Sequence, residues 1–318
     1  MSVFAEIRAA AAEVSRRARS VAIDAAGLEA LAGALARERP GTPDLDPGHH
    51  ALGTDEATLA YVITLNAVNF GSGWFPVLRK LPGKSGYLTV ATRLRERFAS
   101  EGPFDAALLA GLDGDRCAAL FGQIGNAAAA PLMEEFAGAL ADLGRFLGAH
   151  FGGRFAGPVE AAGGSADALV RSLARMPRYE DVSRYGELRV PFYKRAQITC
   201  ADLALAFGGR GPGAFGDLGE LTLFADNLVP HVLRMKGVLR YAPELAARID
   251  REELLASGSP EEVEIRAVAL HAVERLAAAC REQGFATSPA GLDQLLWARG
   301  QSAEIKAVPR HRARNTYY

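Results

Sequence analysis

Residues 221–230, Leu-Thr-Leu-Phe-Ala-Asp-Asn-Leu-Val-Pro, place one carboxylate at the end of an apolar run. Burial of Leu221, Leu223 and Phe224 would set Asp226 at the edge of a hydrophobic core. The pKa of a carboxyl group there rises unless hydrogen-bond donors or a cation compensate for lost hydration. Such a group can take part in catalysis, but an Asp ahead of an apolar segment can also cap a helix. The pattern alone leaves both roles open.

The elements that would position Asp226 are predicted to be helices, because apolar residues recur at spacings of three and four over much of the chain. The clearest segments are residues 3–38, a helix beginning at Thr54, and a helix opened by Pro260 with acids in its first turn. Other helices are expected at 87–91, in three short pieces within 104–150, at 192–207, as a pair within 221–248, and at 292–297. Only residues 181–190 favour extended structure. The predicted fold is therefore a single compact, mostly α-helical domain over residues 1–318 with few short strands.

Composition narrows the function classes. The chain has 318 residues and a net charge of −1, so it lacks the basic surplus of a protein that tracks a nucleic-acid backbone. It contains no apolar run of about 18 residues, the length of a membrane span, and no signal-peptide core at its start. Its three cysteines are widely separated, which predicts buried free thiols in the cytoplasm and gives no metal-ligand spacing.

Several other short sequence segments are informative together with the segment around Asp226. They are Asn69-Phe70 with Trp74, Val-Pro-Phe-Tyr-Lys-Arg-Ala-Gln-Ile at 190–198, Ala201-Asp202, Leu-Arg-Tyr at 239–241, Glu-Val-Glu-Ile-Arg at 262–266, and Pro-Arg-His-Arg-Ala-Arg at 309–314 before Tyr317-Tyr318. In this order the blocks resemble the queuosine salvage protein family, which acts as queuosine 5′-monophosphate N-glycosylase and releases queuine. A helical fold with an Asp near a Val-Pro turn is also similar to helix-hairpin-helix DNA glycosylases.

The resemblance implies hydrolysis of the C1′–N9 bond between ribose and a 7-deazaguanine base. Breaking this bond develops positive charge on the sugar and negative charge on the base, and a 7-deazapurine lacks the basic N7 that eases departure of a purine. A carboxylate should therefore face the sugar, as in two-carboxylate glycosidases. Asp226 is the candidate, either stabilising the oxocarbenium ion or orienting and deprotonating water.

The resemblance also implies contacts to the base. Asn69 could bond the base edge, Phe70 and Trp74 could flank the flat ring, and Phe224 could offer its backbone or its ring. His50, or His49 as the second choice, could contact the base or the cyclopentenediol arm of queuine. The secondary amine of queuine calls for an acid, and the candidates are Asp293, which lies beside Trp297 on a short helix, and Glu264.

A substrate phosphate needs cations. The candidates are Lys194 in the Tyr-Lys-Arg block and, near the end of the sequence, Lys306, His311 and Arg314. The expected enzyme uses no cofactor or metal, takes a small-molecule nucleotide, forms no stable nucleic-acid or membrane complex, and is a monomer. Two alternatives stay open, namely a glycosylase that acts on flipped DNA bases and a non-enzymatic, tRNA-associated helical binding module.

The aromatic pair Tyr317-Tyr318 predicts that the last segment docks onto the fold, because two aromatic side chains gain by burial. Deleting residues 309–318 should therefore lower either the melting temperature or the affinity for substrate. Thermal denaturation and steady-state kinetics of the truncated protein test this, and unchanged values in both would contradict it.

Overall fold

A computed structural model describes residues 1–41 and 52–318 of the chain. Contact clustering divides these residues into two compact units. Unit 1 contains residues 1–41, 182–194 and 219–314, and unit 2 contains residues 52–181, 195–218 and 315–318. No helix in the described ranges is both long enough and apolar enough to cross a bilayer.

The α-helices of the described residues are α1 (Val3–Arg17), α2 (Ala25–Glu38), α3 (Asp55–Ala67), α4 (Gly86–Glu101), α5 (Ala106–Ala110), α6 (Gly114–Leu120), α7 (Ala130–Phe151), α8 (Ala156–Ala162), α9 (Ala166–Leu173), α10 (Lys194–Ala206), α11 (Leu228–Met235), α12 (Pro243–Asp250), α13 (Pro260–Glu282), α14 (Pro289–Arg299) and α15 (Ala303–Ala307). Short 3-10 helices occupy Phe75–Val77, Pro177–Tyr179, Gly211–Gly213 and Leu218–Glu220. The strands are β1 (Val21–Ile23), β2 (Val182–Tyr185), β3 (Leu188–Pro191) and β4 (Leu239–Tyr241).

The mostly α-helical class with few short strands, predicted from the sequence, is confirmed. Thr54 caps α3 by accepting the Ala57 N–H at 3.2 Å, and Ser259 caps α13 by accepting the Glu262 N–H at 3.4 Å. Extended structure within 181–190 is confirmed by the antiparallel β2–β3 hairpin, which pairs Val182 with Pro191. The organisation as one domain and the likeness to helix-hairpin-helix glycosylases stay predictions.

Two expectations about element length were wrong. Residues 3–38 are not one helix, because Asp24 caps α2 and β1 precedes it, paired antiparallel with β4 from Val21–Tyr241 onward. The last of the three helices expected within 104–150 is not short, since α7 extends over 22 residues. A run of Leu, Met and Phe along one side of α7 is buried, so packing on that side sustains the longer helix.

Each unit is built on one long helix. In unit 1, α1, α2 and α14 pack on α13, most of whose residues are buried. The tight approach of α2 to the turn after α11 requires Gly27, since a Cβ there would meet the Gly237 carbonyl oxygen at 2.0 Å. In unit 2, α3, α5, α6 and α8 pack on α7, and Phe121 and Phe136 form an edge-to-face pair in the core with ring centroids 5.0 Å apart.

A buried cation lies in the core of unit 1. The Arg266 side chain on α13 is fully buried, with its guanidinium carbon 3.9 Å from the centre of the Phe192 ring. Its Nε donates to the Ala225 carbonyl at 3.0 Å, and its Nη1 lies 3.9 Å from a carboxylate oxygen of Glu262. The sequence spacing of four predicts this ion pair, but on the helix surface; the structure places it in the core, because this stretch of α13 is buried on all sides.

We expect Arg266→Met to lower the free energy of unfolding by about 3–5 kcal/mol, because it removes the buried cation that faces the Glu262 carboxylate. It also removes the donor to the Ala225 carbonyl. Urea denaturation measures the loss, and Arg275→Met, at an exposed position of the same helix, is the matched control. Equal stabilities of the two variants would contradict a supporting role for the buried guanidinium.

Candidate functional site

Asp226 lies in unit 1 where the buried, non-helical segment 221–225 meets α11. Its Oδ1 accepts the backbone N–H groups of Leu228 at 2.8 Å and Val229 at 3.1 Å. These donors are the exposed N–H groups of the first helical turn, which stabilise negative charge on the carboxylate. Asp226 therefore accepts the first N–H groups of α11 from the position before its N-cap, Asn227, which is close to the capping role that the sequence left open, and Oδ2 has no donor from the described protein.

A second carboxyl group, Asp293 on α14, belongs to the same part of unit 1. It is 6% exposed, and its Oδ1 accepts the Phe224 N–H at 3.1 Å. Burial raises the pKa of Asp293 well above its usual range, and the nearby charge of Asp226 raises it further. The Phe224 N–H and the charge of Lys194 oppose this rise without cancelling it. The two carboxyl groups thus have different environments, one on a helix N-terminus and one desolvated.

Lys194 begins α10 and is 6% exposed. The residue before it, Tyr193, has φ of 48°, a left-handed conformation that an aromatic residue rarely adopts. The Tyr193 hydroxyl accepts a hydrogen bond from Arg189 at 2.7 Å, which helps to hold this backbone turn. The turn directs Lys194 inward, where its charge acts on Asp293.

Phe224 contacts Asp293 through its backbone, and Trp297 lies one helical turn after Asp293. The Phe224 ring is 5% exposed, and its backbone N–H is engaged with Asp293. The sequence predicts that Phe224 contacts the base through either its backbone or its ring. In the structure, the backbone is the part that faces a polar group of the site. Trp297 is half-buried and lies four residues after Asp293 on α14, so both side chains project from the same side of the helix.

Glu264 has a different environment. Its carboxylate accepts the N–H groups of Arg19, Ser20 and Val21 at 2.6–3.1 Å and the Tyr185 hydroxyl at 2.7 Å. This bond and the burial of Tyr185 raise the pKa of its hydroxyl to about 12. With its acceptor positions taken, Glu264 serves α1, β1 and β2 rather than presenting free oxygens to an amine.

The cations predicted near the end of the sequence differ in exposure. Lys306 and Arg314 are exposed, whereas His311 is 1% exposed. Burial, together with the charges of Arg266, Arg310 and His231, lowers the pKa of His311 to about 3. His311 is therefore neutral at physiological pH, and any contribution to a phosphate site would be a hydrogen bond without charge.

In unit 2, Asn69 belongs to a buried chain of amide and carboxylate groups. Its Nδ2 donates to Asn66 Oδ1 at 3.1 Å, and Asn66 Nδ2 donates to Asp202 Oδ2 at 2.8 Å. The loop that follows accommodates Gly71 at φ of +99°, where an added Cβ would lie 2.6 Å from Leu132. These contacts fix the orientation of the Asn69 amide.

Phe70 and Trp74 are buried in the core of unit 2, at 2% and 6% exposure. The Phe70 ring packs edge-on against Phe136, and the Arg195 guanidinium carbon lies 4.8 Å from its centre. Arg195 also lies 4.2 Å from the centre of the Tyr179 ring and donates to the Ala67 carbonyl at 2.6 Å. Burial lowers the pKa of Arg195 to about 10, so it remains charged at neutral pH.

The predicted docking of the last residues is also seen in unit 2. Tyr318 is 2% exposed, and its carbonyl oxygen accepts the N–H groups of Gly71 at 3.0 Å and Ser72 at 3.3 Å. Asn315 Oδ1 accepts the N–H groups of Tyr317 and Tyr318 at 3.0 Å and 3.2 Å. The segment is therefore held by both its ring and its backbone.

The predicted residues thus form two local groups, Phe224, Asp226, Asp293 and Lys194 in unit 1 and Asn69, Phe70 and Trp74 in unit 2. His50 and His49 lie outside the described residues. Sequence reasoning missed Asp202 and Arg310 as candidates, although both fall within the blocks that carry the resemblance. No group of three or more His, Cys, Asp or Glu residues in the described ranges is arranged to hold a metal ion.

The chain is similar to known proteins over most of its length. The model of a family described as queuosine salvage protein matches residues 49–318. A Sphaerobacter thermophilus protein named queuosine 5′-phosphate N-glycosylase/hydrolase is 40% identical over 310 residues, covering 96% of this chain and 95% of that protein. A Bos taurus protein of the same name is 30% identical over 335 residues, 98% of each chain, and one from Mus musculus is 37% identical over 198 residues, 59% of each.

The raised pKa of Asp293 predicts a pH-dependent cost to stability. Between the unfolded pKa of about 3.9 and the higher folded pKa, the folded state binds the proton that the unfolded state has lost, so stability falls as pH rises. Asp293→Asn removes this cost while its amide oxygen can still accept the Phe224 N–H. The melting temperature of the variant relative to wild type should therefore increase as pH rises above about 4.

Thermal denaturation from pH 4 to pH 8 provides the measurement, with Asp115→Asn at an exposed position as the control. A difference between Asp293→Asn and wild type that stays constant over this range would show that Asp293 is not protonated in the folded protein.

Proposed function

Because the chain belongs to the queuosine salvage protein family, we propose that it hydrolyses the N-glycosidic bond of queuosine 5′-monophosphate and releases queuine. The expected enzyme class, a nucleotide N-glycosidase, is confirmed by the names of relatives that align along nearly its full length. The substrate is a small molecule, and we propose that the enzyme acts as a cytoplasmic monomer without a stable nucleic-acid partner.

The observation that carries the proposed mechanism is that unit 1 holds two carboxyl groups in different environments, Asp226 at a helix N-terminus and Asp293 desolvated. Asp226 sits on the N-terminus of α11, which favours its anion. Asp293 is desolvated, and its pKa is raised, which favours the protonated acid. Two carboxyl groups in different environments can take different roles in a glycosidase, one facing the sugar and the other acting as the acid.

In this mechanism Asp226 acts on the sugar. As the C1′–N9 bond lengthens, positive charge grows on C1′ and the ring oxygen, and Oδ2 of Asp226 is the oxygen left available to face it. Two unit charges about 4 Å apart at an effective dielectric constant of about 20 interact by about 4 kcal/mol. If this interaction arises only in the transition state, it corresponds to roughly 10³ in rate.

Asp293 acts on the leaving base. It donates its proton as the C1′–N9 bond breaks, and the electron pair of that bond stays on the base, whose deazaguanine ring leaves uncharged. Water forms the new C1′–O bond and gives a proton to Asp226, so the sugar product is ribose 5-phosphate. Proton exchange with solvent then restores the ionised Asp226 and the protonated Asp293.

The remaining assignments stay proposals. We assign Asn69, Phe70, Trp74, Phe224 and His50 to the base, Trp297 to its cyclopentenediol side, and Lys194, Lys306, His311 and Arg314 to the phosphate end. The amine of queuine is assigned to an acid, and the engagement of Glu264 by four donors makes Glu264 the weaker choice. Single substitutions with separate measurement of kcat and KM test each assignment.

We expect Asp226→Asn to lower kcat for queuine release by about 10³-fold or more while the protein still folds. Asparagine caps helices as well as aspartate does, so the bonds to Leu228 and Val229 can persist while the charge is lost. Chromatography of released base from queuosine 5′-monophosphate measures the effect, with circular dichroism as a check of folding.

Asp250→Asn, which neutralises an exposed carboxylate of the same unit, is the matched control and should retain activity. Near-normal turnover by Asp226→Asn would exclude the catalytic role of Asp226. Failure of the wild-type protein to release base from queuosine 5′-monophosphate, queuosine or guanosine 5′-monophosphate would overturn the proposed activity and favour a DNA glycosylase or an RNA-binding module.

A further inference from the structure

Arg310, a residue outside the predicted site, lies on a segment that unit 1 holds next to Asp226. The Asn227 side-chain amide donates to the His311 carbonyl at 3.2 Å, and Asn227 directly follows Asp226. On the other side, the Leu255 N–H donates to the Arg312 carbonyl at 2.9 Å in a short parallel bridge. Residues 310–312 are therefore fixed by their backbone rather than by the Arg310 side chain.

The Arg310 guanidinium is partly buried, yet it makes no ion pair or side-chain hydrogen bond with any residue of 1–41 or 52–318. The other arginines of this region differ. Arg266 is bonded to Ala225 and faces Glu262, and Arg312 is bonded to Glu252. Arg310 feels the charge of Asp226 without forming a direct pair with it.

Partial desolvation of a guanidinium raises the free energy of the folded state unless an anion binds to it, because its five N–H donors lose water without gaining acceptors. Its planar fork matches the oxygens of a phosphate group in a bidentate arrangement. The neighbouring cations are less suited, since His311 is neutral at physiological pH and Lys306 and Arg314 are exposed. In this segment, Arg310 is the position that combines partial burial and charge with donors that have no acceptor among the described residues.

We propose that Arg310 binds the 5′-phosphate of the substrate and is the residue that makes the enzyme prefer a nucleotide over a nucleoside. This inference rests on the proposed function, since it assigns one end of the substrate whose glycosidic bond Asp226 attacks. The phosphate then supplies the oxygens that the guanidinium lacks. The negative charge of the phosphate also neutralises Arg310. Without the phosphate, Arg310 would interact with the ionised Asp226 in the ground state and weaken the stabilisation that Asp226 gives to the developing sugar cation.

The test compares Arg310→Gln with wild type on queuosine 5′-monophosphate and on queuosine. Loss of charge-assisted phosphate bonds should lower kcat/KM for the nucleotide on the order of 10- to 100-fold. The value for the nucleoside should stay within about twofold, because the nucleoside offers no phosphate to bind. Arg312→Gln, which removes the same charge two residues away, is the matched control and should leave the ratio of the two substrates unchanged.

Arg310→Lys guards against a folding defect, since it keeps the charge and loses the fork. We expect it to keep an intermediate preference for the nucleotide. Equal losses on both substrates in Arg310→Gln and Arg310→Lys would overturn the proposal, because they would mean that Arg310 acts through Asp226 or through the fold.

Calorimetric titration with ribose 5-phosphate separates this inference from the proposed activity, because it needs no turnover. Binding by wild type that is lost in Arg310→Gln and kept in Arg312→Gln would support a phosphate site even if no base is released. Absent binding by wild type, or binding that Arg310→Gln retains, would overturn the assignment whatever the activity assay gives.

Discussion

The position of Asp226 depends on one buried interaction, the contact of Arg266 with the Ala225 carbonyl. Residues 221–225 are buried without regular secondary structure, so their backbone groups need partners from elsewhere in the fold. Arg266 supplies one such donor from α13 and is itself held by the Phe192 ring and by Glu262. A long helix thereby fixes an irregular segment, and Asp226 enters α11 at a defined angle.

Backbone N–H groups in and just after this segment give the carboxyl groups of Asp226 and Asp293 different environments. The N–H groups that open α11 engage Asp226, while the Phe224 N–H engages Asp293. Asp226 is half-buried at a helix N-terminus, whereas Asp293 lies in the interior of α14's packed side. The difference between the two environments therefore follows from where the chain turns, because the two side chains are chemically identical.

Local residue spacing and capping chemistry could be read from the sequence. They predicted the helical class, the caps at Thr54 and Ser259, and the extended structure within 181–190. Features that depend on tertiary packing could not be predicted. Four donors distant in sequence occupy Glu264, and burial neutralises His311, although both look like ordinary polar residues in the chain. Arg310 could not be identified from the sequence because its lack of a partner within 1–41 and 52–318 can be recognised only after its neighbours are placed.

The Glu264 carboxylate joins α13 to the start of the chain through the main-chain N–H groups of Arg19, Ser20 and Val21. The β1–β4 pairing in the same region is likewise made by backbone groups. Neither contact depends on the side chains of residues 19–23. These residues can therefore be substituted while the backbone contacts and the strand register are kept.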